Sequence, residues 1–198
     1  MAKTNRSLSV ALFGGSFDPV HKGHLAMAKA VLDRGAVDQV RFLPCYVSPH
    51  KSGTVANEEQ RLQMLEIALE DSSLEDASVS RYEIEREEPS YSWETITSFS
   101  ESEPGVSWHW IVGTDQWNSL HRWARPEVLR EKLHFLICTR GDENLVERAD
   151  FCSTVIAFEH PASSTAIRRD FAVHHDWLTP GVVEYCRETG LYQPERYG

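Results

Sequence analysis

The sequence predicts an α/β fold: a doubly wound, mostly parallel sheet with helices on both faces and a small C-terminal helical portion. Two observations predict it. Short apolar runs, each stopped by Gly, Pro or a polar cluster, alternate with longer segments of helical periodicity. No repeat, low-complexity tract or linker interrupts that alternation, so residues 1–198 read as one domain. Sheets of this kind gather ligands at the carboxyl ends of their strands, near the point where strand order reverses. Chemistry is therefore expected just after each strand.

The elements follow in order. Leu8 to Phe13 (LSVALF) is an apolar run ended by Gly14 and Gly15, which suits a buried strand. Leu25, Ala28 and Leu32 recur at helical spacing and are closed by Gly35. Val40 to Leu43 predicts a second strand, stopped by Pro44. Asn57 with Gln60 three residues on forms a capping-box pattern, and Leu62, Leu65 and Leu69 share one face of the helix that follows. A third strand is expected over Ser78 to Ile84, and a helix over 92–101. Trp108 to Val112, Leu133 to Cys138 and Val155 to Phe158 read as strands, and two helices are expected to start near Ser164 and Pro180. The alternation makes a Rossmann-like sheet of βαβ units.

Composition excludes several classes. The 20 Lys and Arg against 30 Asp and Glu leave a net charge of −10. That balance opposes general nucleic-acid or anionic-membrane binding, though a few local cations could still hold an anionic small molecule. No apolar run is long enough to span a bilayer, and Met1 to Ser9 is polar, unlike a signal region. Cys45, Cys138, Cys152 and Cys186 show no CxxC spacing, which points to a reducing, cytoplasmic setting.

The first strand runs into Gly14-Gly15-Ser16-Phe17-Asp18-Pro19-Val20-His21-Lys22-Gly23-His24. Two glycines permit a tight turn and close approach of a ligand. The next helix offers free N–H groups and its positive dipole end, a place for phosphate. His21 and His24 are spaced to share the face of a first helical turn and to donate to a phosphoryl group. Taken alone, the pair also fits a tight turn with incidental histidines, or two ligands of a zinc ion lacking its others. The string is neither the GxGxxG fingerprint nor a P-loop. Downstream, Ser163-Ser164-Thr165-Ala166-Ile167-Arg168 reads either as a simple N-cap or as an anion-binding helix start with an Arg in reach.

Together these strings resemble the GxFDPxHxGH and SSTxIR motifs of the HxGH nucleotidyltransferase superfamily. Within it the chain is most similar to the bacterial nicotinate-nucleotide adenylyltransferases, over nearly its full length. Ser48-Pro49-His50-Lys51 resembles their PPHK segment, with Ser48 replacing a proline, and Gln60 to Leu65 matches the helix after it. Pro89-Ser90-Tyr91-Ser92 resembles PSYT, with Thr95 following as it does there. Ile111 to Asp115 and Leu120 to Trp123 resemble IGAD…LxxW, and Thr179 to Val183 with Gly190-Leu191-Tyr192 resembles the family's end. Ala162 departs from a usual branched apolar residue.

The resemblance implies transfer of the adenylyl group of ATP to nicotinate mononucleotide, giving nicotinate adenine dinucleotide and pyrophosphate in NAD synthesis. It implies that Gly14, Gly15, Ser16, Phe17, His21 and His24 line the ATP phosphates, and that Ser164, Thr165 and Arg168 hold the leaving pyrophosphate. His21, His24 and Arg168 would be the catalytic residues. Gly113 and Asp115 would contact the adenosine. Trp123 would stack on the pyridine ring, Ser92 and Thr95 would serve the nicotinate end, and His50 and Lys51 would lie near the mononucleotide phosphate. Mg2+ is expected on ATP, with no dedicated protein cage. Lys22, Lys51 and Arg168 would supply local positive charge. Two alternatives stay open: another acceptor, such as nicotinamide mononucleotide, and a nucleotide-binding regulator without turnover. His109, His174 and His175 have no motif around them, Glu85 to Glu88 reads as a solvated face, and oligomeric state is not legible.

Overall fold

The computed structural model describes residues 7–48, 53–140 and 144–193. They form a six-stranded sheet of order β3-β2-β1-β4-β5-β6, from Ser9–Gly15 (β1), Gln39–Pro44 (β2), Ala77–Val79 (β3), Ser107–Gly113 (β4), His134–Thr139 (β5) and Ser153–Ala157 (β6). Every strand pair is parallel. The order reverses between β1 and β4, so a crevice opens beyond the carboxyl ends of those two strands.

The helices are Lys22–Asp33 (α1), Glu58–Glu70 (α2), Tyr82–Glu85 (α3), Ser92–Ser102 (α4), Thr114–Asn118 (α5), Pro126–Lys132 (α6), Ser164–Arg169 (α7), Phe171–His174 (α8) and Pro180–Thr189 (α9). The sheet is covered on both faces because its side chains alternate. Ala11, Phe13, Val40, Phe42 and Ile156 pack with Ala28 and Val31 of α1, Met64 and Leu65 of α2, and Val182 and Cys186 of α9. Val10, Leu12, Trp108, Trp110 and Phe135 pack the other way, with Ile96 and Phe99 of α4 and Leu129 of α6. The predicted strands and long helices are therefore present. Asn57 and Gln60 exchange the two bonds of a capping box at the start of α2 (2.9 and 3.0 Å).

One element differs. The strand expected over Ser78 to Ile84 ends at Val79, and Tyr82–Glu85 is a helical turn. Ser80 Oγ accepts the Tyr82 N–H at 3.3 Å and turns the chain. That turn buries Glu83 and Ile84 despite the β-favouring residues around them. The short α5, α6 and α8 carry too few turns for periodicity to register. The acidic run is also only partly a solvated face: Glu85, Glu87 and Glu88 are exposed, but Arg86 is half-buried and pairs with Glu88 (2.8 Å) and Glu94 (3.0 Å).

Candidate active site

A cleft of about 990 Å3 occupies the crevice beyond β1 and β4. Gly14, Gly15, Ser16, Phe17, His21 and His24 line one wall. Gly113 and Asp115, which end β4 and begin α5, line a second, and Ser164, Thr165 and Arg168 of α7 a third. Ser92 and Trp123 close the far end. The fold thus brings together segments that the sequence separates by more than a hundred residues. Gly14 is required by a close approach: a Cβ there would lie 2.8 Å from the Trp110 ring.

The two histidines form a unit, with a geometry that differs in one respect from the expected shared helical turn. His21 is the N-cap of α1, in extended conformation (φ −147°, ψ 167°), and only His24 is helical. The side chains complete a reciprocal capping box. His21 N–H donates to His24 Nδ1 at 3.2 Å, while His24 N–H donates to His21 O at 2.8 Å and to His21 Nδ1 at 3.3 Å. The rings stack with centroids 3.7 Å apart. Because each Nδ1 accepts a backbone proton, each neutral ring carries its own proton on Nε2. The loop's local hydrogen bonds thereby fix two N–H donors. Gly23 leaves the rings room, since a Cβ there would lie a tight 3.0 Å from the His21 ring.

His21 is 5% exposed. Burial, and behind it the nearby His160 and Arg140, push its pKa down from 6.5 to about 3. It is a neutral donor at physiological pH. Since the fold holds this pKa below the unfolded value, the unfolded chain takes up the proton first on acidification. The stabilisation is full above about pH 6.5 and is lost as pH falls toward about 3. Between pH 7 and 5 we expect wild type to lose about 2 kcal/mol relative to His21→Asn, read from urea unfolding at both values. A difference that does not change with pH would exclude a buried neutral His21.

The α7 entry corrects the N-cap reading. Ser163 is the N-cap but makes no side-chain cap bond. Ser164 Oγ instead donates to Pro19 O at 3.0 Å, which joins α7 to the loop before α1. Arg168 donates from Nη1 to Asp18 O at 2.6 Å and from Nη2 to Thr165 Oγ1 at 3.3 Å. Its guanidinium is thus held at the cleft wall, a third of its side chain exposed.

At the other end, Ser92 begins α4, whose N-cap Tyr91 makes no side-chain cap bond. Trp123 stands edge-on to Trp110, centroids 6.2 Å apart. Thr95 does not line the cleft, contrary to expectation: it is 0% exposed and donates to Glu83 Oε1 at 2.7 Å. One helical turn from Ser92 it faces the core, where it holds Glu83 and also reaches Tyr91 O at 3.4 Å. Lys22 also departs from the expected role, because its Nζ reaches away to Asp176 O at 2.8 Å. His50 and Lys51 lie outside the described residues.

Four further residues shape the site without having stood out in the sequence. Arg122 and Arg140 line the cleft as Arg168 does, and Arg140 donates to Ala162 O at 3.1 Å with its guanidinium over the Phe158 ring. Asp18, 4% exposed, accepts from Val55 N, Ala56 N and Tyr192 Oη. Arg61 donates to Ser16 O and Tyr46 O. Asp18 and Arg61 stood within quoted motifs, which was a signal. Arg122 stood within the Leu120 to Trp123 string as well, and Arg140 offered only its position just after β5.

A parallel 3-2-1-4-5-6 sheet with a paired-histidine helix entry and a Ser/Thr helix entry meeting at its switch point defines the α/β nucleotidyltransferase class. Residues 12–170 match the cytidylyltransferase-like family model, and the chain belongs to that family, grouping within it with the nicotinate-nucleotide adenylyltransferases. A probable nicotinate-nucleotide adenylyltransferase of Methylacidiphilum infernorum is 33% identical, covering 99% of this chain and 98% of its own. One from Neisseria meningitidis is 32% identical, covering 93% and 98%. The structure of the Plasmodium falciparum nicotinic acid mononucleotide adenylyltransferase complexed with NaAD shares the fold, with a TM-score of 0.80 at 19% identity over 93% of this chain and 97% of that one.

Proposed function

We infer that the chain transfers the adenylyl group of ATP to nicotinate mononucleotide, releasing pyrophosphate and forming nicotinate adenine dinucleotide for NAD synthesis. The observation that carries this is the reciprocal His21–His24 cap, which fixes two Nε2–H donors in a cleft also lined by α7 and Arg168. The names of the relatives support the acceptor. The chain acts as one catalytic domain, since the α7 entry and Tyr192 both bond to the loop that follows β1.

The chemistry needs no general base, because the nucleophile is already an anionic phosphate oxygen. That oxygen forms a bond to the α-phosphorus as the bond from the α-phosphorus to the pyrophosphate oxygen breaks. The protein aligns the two and neutralises the charge that moves onto the leaving group. His21 and His24 donate to the α- and β-phosphoryl oxygens as neutral groups. Arg168 and Arg140, with Ser164 and Thr165 at the entry of α7, meet the pyrophosphate. Gly14 to Phe17 let the triphosphate approach the backbone, and Gly113 and Asp115 meet the adenosine. Trp123 offers its ring to the pyridine, and Ser92 with the first N–H groups of α4 meets the nicotinate carboxylate. His50 and Lys51 belong to the acceptor phosphate.

ATP brings a divalent cation, Mg2+ in our reading. Such an ion would ride on the phosphate oxygens and water. Among the described residues no helix is long and apolar enough to cross a membrane.

The test is pyrophosphate release from ATP and magnesium with nicotinate mononucleotide, nicotinamide mononucleotide or phosphopantetheine as acceptor. Release at least tenfold faster with the nicotinate form is the expected result. Preference for the nicotinamide form would overturn the carboxylate contact at Ser92. Silence with all three, alongside ATP binding, would make the chain a nucleotide-binding regulator.

A further inference from the structure

Arg61 is the largest fully buried side chain in the described structure, at 0% exposure. Its guanidinium meets no carboxylate within 4 Å among the described residues, and its Nε has no hydrogen-bond partner. A buried cation without an anionic partner is costly, and an apolar residue of similar volume would serve packing better. What the side chain does make is a fork. Nη1 donates to Ser16 O at 2.9 Å, and Nη2 donates to Tyr46 O at 3.1 Å.

Those two carbonyls belong to different loops, one after β1 and one after its neighbour β2, which Cys45 N–H also ties to Gly15 O at 3.0 Å. Ser16 lies in the glycine loop that follows β1. Tyr46 follows β2 and continues the connection toward the far end: its N–H donates to Ser90 Oγ at 3.1 Å, and Ser90 N–H donates to Val47 O at 3.0 Å. Ser92, the first residue of α4, is two positions on. One planar side chain on α2 therefore spans from the phosphate loop to the segment that presents Ser92.

We propose that Arg61 is a positioning residue that holds the ATP-side loop and the acceptor-side loop at a fixed separation, so that the attacking phosphate oxygen and the α-phosphorus meet in line. The role rests on the adenylyl-transfer reading. Arg61 lies behind the loops and does not line the cleft. Its loss should therefore affect alignment more than affinity, and a displacement of about 1 Å costs about a hundredfold in rate. A fork is needed because lysine, a point charge, does not hold two carbonyls in one plane.

The test is steady-state pyrophosphate release with ATP and nicotinate mononucleotide by wild type, Arg61→Met and Arg61→Lys, with thermal unfolding of each. Arg61→Met should lower kcat by thirtyfold or more while both KM values stay within about threefold. Arg61→Lys should stay within about threefold of the Met variant. Full rescue by lysine would overturn the tie and assign Arg61 a purely electrostatic role. A normal kcat in Arg61→Met, or kcat and both KM values worsening together, would overturn it outright. Inactive wild type would instead overturn the adenylyl-transfer reading and this role with it. If neither Arg61 variant folds, Ser90→Ala removes the hydroxyl that accepts the Tyr46 N–H, together with its bond to Glu83, and leaves the Arg61 fork in place. It should lower kcat about tenfold with the KM for ATP unchanged, and an unchanged kcat would overturn the proposal.

Discussion

Replacing His24 with alanine should lower kcat by about a thousandfold and change ATP affinity by less than about fivefold. The asymmetry follows from the geometry. A neutral Nε2–H donor gives little to a ground-state triphosphate that water also solvates. It gives much more as negative charge grows on the oxygens around the breaking bond. The variant loses a second thing as well, because His24 Nδ1 accepts the His21 N–H. Without that acceptor the capping box opens and His21 loses a restraint on its position. The cost in stability should be modest, about 1 kcal/mol, as for other caps. Calorimetric titration with ATP and initial rates of pyrophosphate release check the two effects separately. Equal losses in binding and turnover would mean that His24 merely holds substrate.

Asp18→Ala should be the most destabilising single change at the site, about 4 kcal/mol in urea unfolding. The Asp18 carboxylate accepts Val55 N–H at 2.9 Å, Ala56 N–H at 3.0 Å and the Tyr192 hydroxyl at 2.6 Å, and it faces Arg168 Nε at 3.9 Å. Alanine would leave two backbone donors and a buried phenol without an acceptor, and a guanidinium without its counter-charge. Burial and this hydrogen bond hold the Tyr192 phenol above its usual pKa, so it remains a donor that needs a partner. Asp18→Asn keeps one acceptor oxygen and should cost about half as much. A loss below about 1 kcal/mol in the alanine variant would show that the four groups find other partners. Because Asp18 joins the loop after β1 to the entry of α2 and to the C-terminal segment, the unfolding should remain a single transition.

Much of this was legible in the chain. The His21–His24 unit is local: a cap and its third helical residue are close in sequence, so the spacing alone places them together. Gly14, Gly15 and Gly113 end the two strands that flank the switch point and so marked where a ligand could approach, although the strand order itself came only from the fold. Alternating apolar runs predicted a sheet covered on both faces because burial on both sides leaves no polar stripe.

Other features depended on partners distant in sequence. Thr95 looks like a neighbour of Ser92 on paper, yet its hydroxyl turns inward because buried Glu83 waits for a donor there. Lys22 sits inside the motif but is drawn off by a carbonyl of residue 176, while Arg140, in no motif, lines the cleft. Asp18 meets Tyr192, and Arg61 meets both Ser16 and Tyr46. Periodicity and turn chemistry report only contacts within a few residues, and these contacts form only after strands and helices from distant parts of the chain have packed. The chain alone therefore specifies the longer elements, their alternation and the proximity of the two histidines. Which cations face the cleft, and which buried groups hold its loops apart, is decided by packing across the sheet, where the cost of leaving a buried donor or charge unpartnered selects one arrangement.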